Sequence, residues 1–316
     1  MKIKLPVSGC RCRWGERPRE PKRDSKPGSS VASPHRFKLR RAFTLLELLI
    51  VITILGILAG LAVPALKNLG KSNVQVSAGR QLLDDIGHAR QMAISQHTTV
   101  YMVFVRTNFW MAPVFPNAWW NNLTPAQQSA ATNVCDKQLT GYTFVSLRSV
   151  GDQPGQGLPH YLAPWQSLPD GTFIAQQKFQ PPTSPPFYIA AYNPTIPIYG
   201  FNLTNTIPFP TENSPSFLAV SIPSRLACPY IAFNYLGQLT VDGLGMAGRD
   251  EYIPLAQGTV SPAINAATKT LVISSSSAGS PSVSETPPGN STNSMYRIVH
   301  IDRLTGRATL EYQRVQ

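Results

Sequence analysis

Residues 38–69, KLRRAFTLLELLIVITILGILAGLAVPALKNL, decide how the chain is organised. Between Glu47 and Lys67 run 19 consecutive uncharged residues, nearly all of them apolar. A helix needs about 20 such residues to cross the hydrocarbon core of a bilayer. Lys38, Arg40 and Arg41 stand on the N-terminal side of the run, and cationic flanks tend to stay on the cytoplasmic side. The expected topology is therefore single-pass, in the cytoplasmic (inner) membrane, with a cytoplasmic leader and a large periplasmic C-terminal domain. One residue breaks the pattern. Glu47 puts a carboxylate into the edge of an apolar segment, which is costly unless the group finds a partner or lies near the interface. A plain anchor or a secretory signal gains nothing from it. An assembling subunit does: cleavage just before Phe43 would free an amine, and Glu47 of one subunit could pair with that amine on its neighbour, where a low dielectric strengthens the attraction.

The stretch from Ala42 to Val51, AFTLLELLIV, resembles the type III signal of type IV pilins and type II secretion pseudopilins. The resemblance implies a prepilin peptidase that cuts between Ala42 and Phe43 and methylates the new amine of Phe43. It also implies an assembly role for Glu47, fifth in the processed chain, and a kink at Pro64 in the family's long helix. The family usually has Gly before the cut, where this chain has Ala42. The implied partners are other pilin-like subunits, the prepilin peptidase and an inner-membrane assembly platform, with no cofactor and no enzymatic activity. Two other readings stand beside this one. An ordinary signal peptide would be cleaved near Val63-Pro64-Ala65, and a plain anchor would not be cleaved at all. Both leave Glu47 without a purpose.

The net charge of +12 invites a nucleic-acid reading until it is located. Residues 1–42 hold 13 Lys and Arg against three Asp and Glu, whereas the rest of the chain holds 15 against 13. The basicity belongs to the leader, and the body lacks the clustered cations that a nucleic-acid surface needs. Residues 1–35 are Arg-, Pro- and Ser-rich and read as disordered; a start near Val31 would give a shorter basic leader. Cys10 and Cys12 are too close together and too isolated for a zinc site. If the body is exported, Cys135 and Cys228 either close one disulfide, worth ~3–4 kcal/mol in the chain-entropy model, or remain as two buried thiols.

After Pro64 the helical pattern resumes. Leu82, Leu83, Ile86, Ala89, Ala93 and Ile94 recur at three- and four-residue spacing between charged and polar residues, the mark of one buried helix face. A helix from Phe43 to about Gln96 is expected, with residues 43–66 in membrane or filament core and 67–97 as its second half. The fold class is then α+β, the long N-terminal helix packing on an antiparallel sheet, as in pilins. The β-rich body spans 98–316. Val100–Val105 reads as a strand; Tyr230–Val241, with Gly237, and Tyr296–Tyr312, with Gly306, read as hairpins. The helix carrying HARQMAISQ, the TTVYMVF strand and the two hairpins are similar to H-type minor pseudopilins, and the chain also resembles prepilin-like Verru_Chthon cassette proteins. Residues 107–225 read as an insertion of long loops and short edge strands, and 274–294 as a Ser/Pro-rich loop.

Sites of chemistry are scarce. Gly243-Leu244-Gly245-Met246-Ala247-Gly248 matches a dinucleotide fingerprint by letter, but no helix pattern follows it and no acidic residue lies at the required distance. Asp242, Asp250 and Glu251 lack calcium-loop spacing, the five histidines lack metal spacing, and no nucleophile elbow or P-loop is present. Trp110, Trp119 and Trp120 allow two readings: a partner- or sugar-binding surface, as in a tethered adhesin, or rings that pin loops onto a core.

Overall fold

The computed structural model describes residues 44–111, 120, 123–149, 151–152, 157–182, 185–188, 196–211, 225–273, 279–291 and 297–312, with the backbone alone for 61–73, 111 and 312. The chain divides into two compact units, Met1–Ile57 and Leu58–Gln316. Helix α1, Leu45–Ser95, is 51 residues long. In the first unit its described residues, Glu47 and Thr53 apart, are apolar, and all of them are exposed. In the second unit one face is buried: Ala78, Leu82, Ile86, Ala89 and Ala93 are fully covered, at the three- and four-residue spacing of a single helical stripe. Three of the five are alanines, which lets the helix backbone come close to what it packs against. The helix stops where His97 turns into the left-handed region, φ 49°, and Thr98 N–H reaches back to Ala93 O at 3.2 Å.

The strands in chain order are β1 (Val100–Phe104), β2 (Gly141–Ser146), β3 (His160–Tyr161), β4 (Gln166–Ser167), β5 (Thr172–Ile174), β6 (Phe187–Tyr188), β7 (Pro197–Ile198), β8 (Ile207–Pro208), β9 (Arg225–Leu226), β10 (Tyr230–Phe233), β11 (Leu239–Thr240), β12 (Glu251–Ser261), β13 (Ser282–Glu285), β14 (Arg297–Ile301) and β15 (Ala308–Tyr312). The first sheet runs β11-β10-β1-β2-β3 with β4 also on β2, and the second runs β13-β12-β14-β15 with β5 on β12. All of these pairings are antiparallel. The architecture is thus α+β with antiparallel sheets. The buried face of α1 shares one core with Met102, Phe104, Phe144, Ile231 and Phe233 of the first sheet and Ile253, Leu255, Val299 and Ile301 of the second.

Strand β1 is buried at every position. Val100, Met102 and Phe104 face the helix-side core, while Tyr101, Val103 and Val105 face a second core built from Phe109, Trp110, Leu123, Ala131, Cys135, Phe209, Leu226 and Cys228. That period-two alternation between two cores explains why VYMVFV is apolar and aromatic throughout. It also corrects the reading of 107–225. This stretch is more than loops and edge strands: it supplies β2, buried at all six positions, and helix α2, Pro125–Thr132. Thr124 and Gln127 close a capping box at the start of α2, satisfying two backbone N–H groups that a helix leaves free. The Ser/Pro-rich stretch differs from expectation in the same way, since Ser282–Glu285 pairs with Gly258–Ser261 of β12.

Both expected hairpins form. Their turns meet, with Gly237 at φ 77° and Gly306 at φ 62°. A Cβ on Gly306 would lie 2.0 Å from Gly237 O, so only glycine permits the approach. Arg90 of α1 donates from Nε to Gly237 O (3.2 Å) and Thr305 O (2.6 Å), and Leu239 N–H donates to Arg303 O at 3.1 Å. One helix residue thereby fixes the ends of both sheets.

Candidate functional site: the N-terminal helix segment

Helix α1 begins at a capping residue. Thr44 precedes its first turn, and Thr44 Oγ1 accepts the backbone N–H of Glu47 at 3.2 Å, while Thr44 O accepts from Glu47 N (3.0 Å) and Leu48 N (3.1 Å). Glu47 is the acidic residue of that first turn, where the positive end of the helix dipole favours a carboxylate. Its side chain is exposed. The spacing Thr44-x-x-Glu47 is itself a helix-start signal in the sequence, overshadowed there by the charge of Glu47 beside an apolar run.

From Leu45 to Leu58 the large apolar side chains are between 43% and 82% exposed. A helix apolar on all sides is stable only against lipid or other helices. Thr53, the one hydroxyl within this stretch, turns its Oγ1 to Leu49 O (3.0 Å) and Ile50 O (2.8 Å), so it asks nothing of its surroundings. Among the described residues no helix is long and apolar enough to cross a membrane. The described side chains of this stretch end at Gly60, ~24 Å along the helix axis from Leu45 against ~30 Å of hydrocarbon. Pro64 falls inside the bounds of α1, but its side chain lies outside the described residues, as do Lys38, Arg40, Arg41, Ala42 and Phe43.

The tryptophans and cysteines, each left with two readings by the sequence, take the structural one where they are described. Trp110 is 6% exposed and packs edge-on against Phe109 at 5.1 Å; it belongs to the second core and not to a partner surface. Trp120 is half-buried against the same core, and Trp119 lies outside the described residues. Trp110 and Trp120 help to cover the outer face of the first sheet, where large aromatic area is most useful. Cys135 and Cys228 are free, buried thiols rather than a disulfide. Cys135 Sγ donates to Ala131 O at 3.4 Å, and burial pushes both thiols up to about 12, so neither is a ready nucleophile.

The three carboxylates weighed for calcium do not converge. Asp242 Oδ1 accepts the N–H groups of Leu244 (3.0 Å) and Gly245 (3.2 Å), and these backbone bonds hold its carboxyl below the usual range. Asp250 faces His300 Nε2 at 3.1 Å and Arg303 N at 3.0 Å, and Glu251 pairs with Lys178. Among the described residues no group of His, Cys, Asp and Glu is placed to hold a metal ion. Gly243–Gly248 is a loop closed by the bridge between Thr240 and Met246.

Comparison with known families agrees with the local geometry over one segment. The family model for the prokaryotic N-terminal methylation motif matches residues 37–63, which include Phe43, Glu47 and most of the apolar run. No curated protein and no solved structure matches the chain.

Proposed function

We propose that the chain is a pilin-like structural subunit, stored in the cytoplasmic membrane, processed by a prepilin peptidase and assembled with other pilin-like subunits. The observation that carries this reading is the methylation motif over 37–63, set on a helix whose first turn presents Glu47. Lys38, Arg40 and Arg41 keep the leader in the cytoplasm, and the uncharged run to Leu66 spans the bilayer. Cleavage between Ala42 and Phe43 leaves a new amine one residue before the Thr44 cap. Methylation keeps that amine cationic, and Glu47 of a neighbouring subunit neutralises it as the apolar helices bundle. The assembly platform in the inner membrane then draws subunits into a pseudopilus or a pilus-like filament. A body carrying an extra layer from 107–225 is awkward to repeat along a filament, which favours a minor, tip-like subunit.

Mass spectrometry of the N-terminus of the protein from cell membranes tests this directly. A chain beginning at N-methylated Phe43 is expected. A chain beginning at Leu66 would mean ordinary secretion, and an intact leader would mean a tethered protein; either result overturns the proposal.

A further inference from the structure

Lys178, in the 3-10 turn Gln176–Phe179, is completely buried. Its Nζ forms an ion pair with Glu251, donates to Tyr199 O at 2.7 Å, and lies 4.7 Å from the centroid of the Phe201 ring. Phe201 is itself clamped, stacked on Phe104 at 4.5 Å and met edge-on by Phe179 at 5.3 Å. Glu251, 9% exposed, opens strand β12 and is held there in register with Ile301. Backbone bonds fix the two partners relative to each other. Ala175 N–H donates to Pro254 O (3.0 Å) and Phe201 N–H to Lys178 O (3.0 Å). The backbone at Gly200 passes so close to Gln180 that a Cβ there would sit 1.9 Å from its carbonyl oxygen.

An amine and a carboxyl immobilised in contact, away from water, are the reactants of amide formation. Held groups behave as though present at an effective concentration of about 10⁵–10⁸ M. We propose that Lys178 and Glu251 condense into an intramolecular isopeptide bond, a modification that staples the turn at 176–179 to strand β12. Starting from the ion pair, one Nζ proton passes to a Glu251 carboxylate oxygen, giving a neutral amine and a neutral acid. Burial favours that transfer by disfavouring the ammonium form of Lys178. The Nζ lone pair then attacks Cδ of Glu251. The C–O bond to the protonated oxygen breaks, a second Nζ proton joins the departing hydroxyl, and one water leaves. No oxidant or other reactant is consumed. The remaining N–H is the one that Tyr199 O already accepts. Arg249, its guanidinium 3.8 Å from the centre of the Tyr199 ring, is close enough to act on the charge of Lys178 and supplies positive charge to the tetrahedral oxyanion.

The intact mass of the full chain, purified in detergent, tests this independently of how its N-terminus is processed. The expected mass is that of the chain less one water. Trypsin should release a branched peptide in which Lys178 is uncleaved and joined to the segment bearing Glu251. Lys178→Arg should restore the full mass, and Glu251→Gln should lose ammonia in place of water. A wild-type chain of full mass with the two peptides separate overturns the proposal, as does a water loss that persists in Lys178→Arg.

Discussion

Removing one hydroxyl, in Tyr142→Phe, tests how α1 is fastened to the first sheet. Tyr142 OH donates to the carboxylate of Asp85 on α1 and accepts from Gln81 Nε2 at 2.8 Å. Two bonds go with the hydroxyl, but Gln81 Nε2 also donates to Ser167 O at 3.0 Å and keeps that partner in the variant, so the larger loss is the bond to the charged acceptor. Such bonds contribute ~1.5–3 kcal/mol. Asp85 is only half-buried and can recruit water, which places the expected loss at the lower end, about 1.5 kcal/mol at neutral pH. The pH dependence carries a definite sign. Burial raises the carboxyl of Asp85 above its ordinary 3.8, and the Tyr142 bond opposes that shift. Without the hydroxyl that opposition is gone, so the folded variant would hold the Asp85 proton more tightly than the folded wild type, while the unfolded chains are alike. The penalty should therefore be small where Asp85 is protonated in both folded proteins, grow as pH rises through its raised range, and level off above it. Urea unfolding of the full chain in detergent, at acid and neutral pH, measures this, with Asp85→Asn as the partner in a double-mutant cycle. A penalty independent of pH, or one unchanged in the Asp85→Asn background, would refute the assignment of the bond.

Four further outcomes concern other parts of the chain. Glu47→Ala should leave membrane insertion intact and weaken incorporation into filaments, read as the ratio of sheared to membrane-retained subunit; normal incorporation removes the pairing role. Gly306→Ala should cost roughly 2–4 kcal/mol, from the left-handed backbone and the clash with Gly237 O, whereas Gly245→Ala, with nothing within 4 Å of its Cβ, should change the unfolding midpoint little. Leu82→Ala should cost about 2–5 kcal/mol by opening a cavity between α1 and the sheets, seen in the same assay. Cys135 and Cys228 should react with a thiol reagent only after denaturation, and in a Cys10→Ser, Cys12→Ser background gel mobility should be the same with and without reductant, since both thiols are buried and free.

The contrast between what was legible and what was not follows from the range of the interactions involved. Periodicity marks which residues of a helix are covered, and 82, 86, 89 and 93 are all buried; it does not name the covering surface, which proves to be two sheets rather than one. Hairpin turns are local, so Gly237 and Gly306 announced them, but their mutual contact through Arg90 joins residues more than 140 positions apart. The tryptophans show the limit most clearly. An aromatic-rich stretch has the same composition on a binding surface or in a core, and only the position of Trp110 against Phe109 and the outer face of β1 separates the two. Glu251 was weighed only as a calcium ligand, and nothing marked its pairing with Lys178, because a lysine that is buried through tertiary contacts is indistinguishable in sequence from one on the surface.

By itself the sequence determined the N-terminal third: the apolar run, the cationic flank, the place of Glu47 after Phe43, and the stripe on the second half of α1 are all set by contacts within a few residues or with a surrounding solvent. It determined as well that Val100–Val105 would be a strand, since an apolar, β-branched run has few other stable homes. Only the tertiary structure decided that this strand is buried on both faces. The polar groups of 107–225 can be satisfied in many conformations, and it is the second core, assembled from residues far apart in the chain, that selects one. Tertiary packing likewise left Cys135 and Cys228 unbridged and closed the Lys178–Glu251 pair away from water. A side chain's charge and reactivity depend on its surroundings, which form only when distant segments meet.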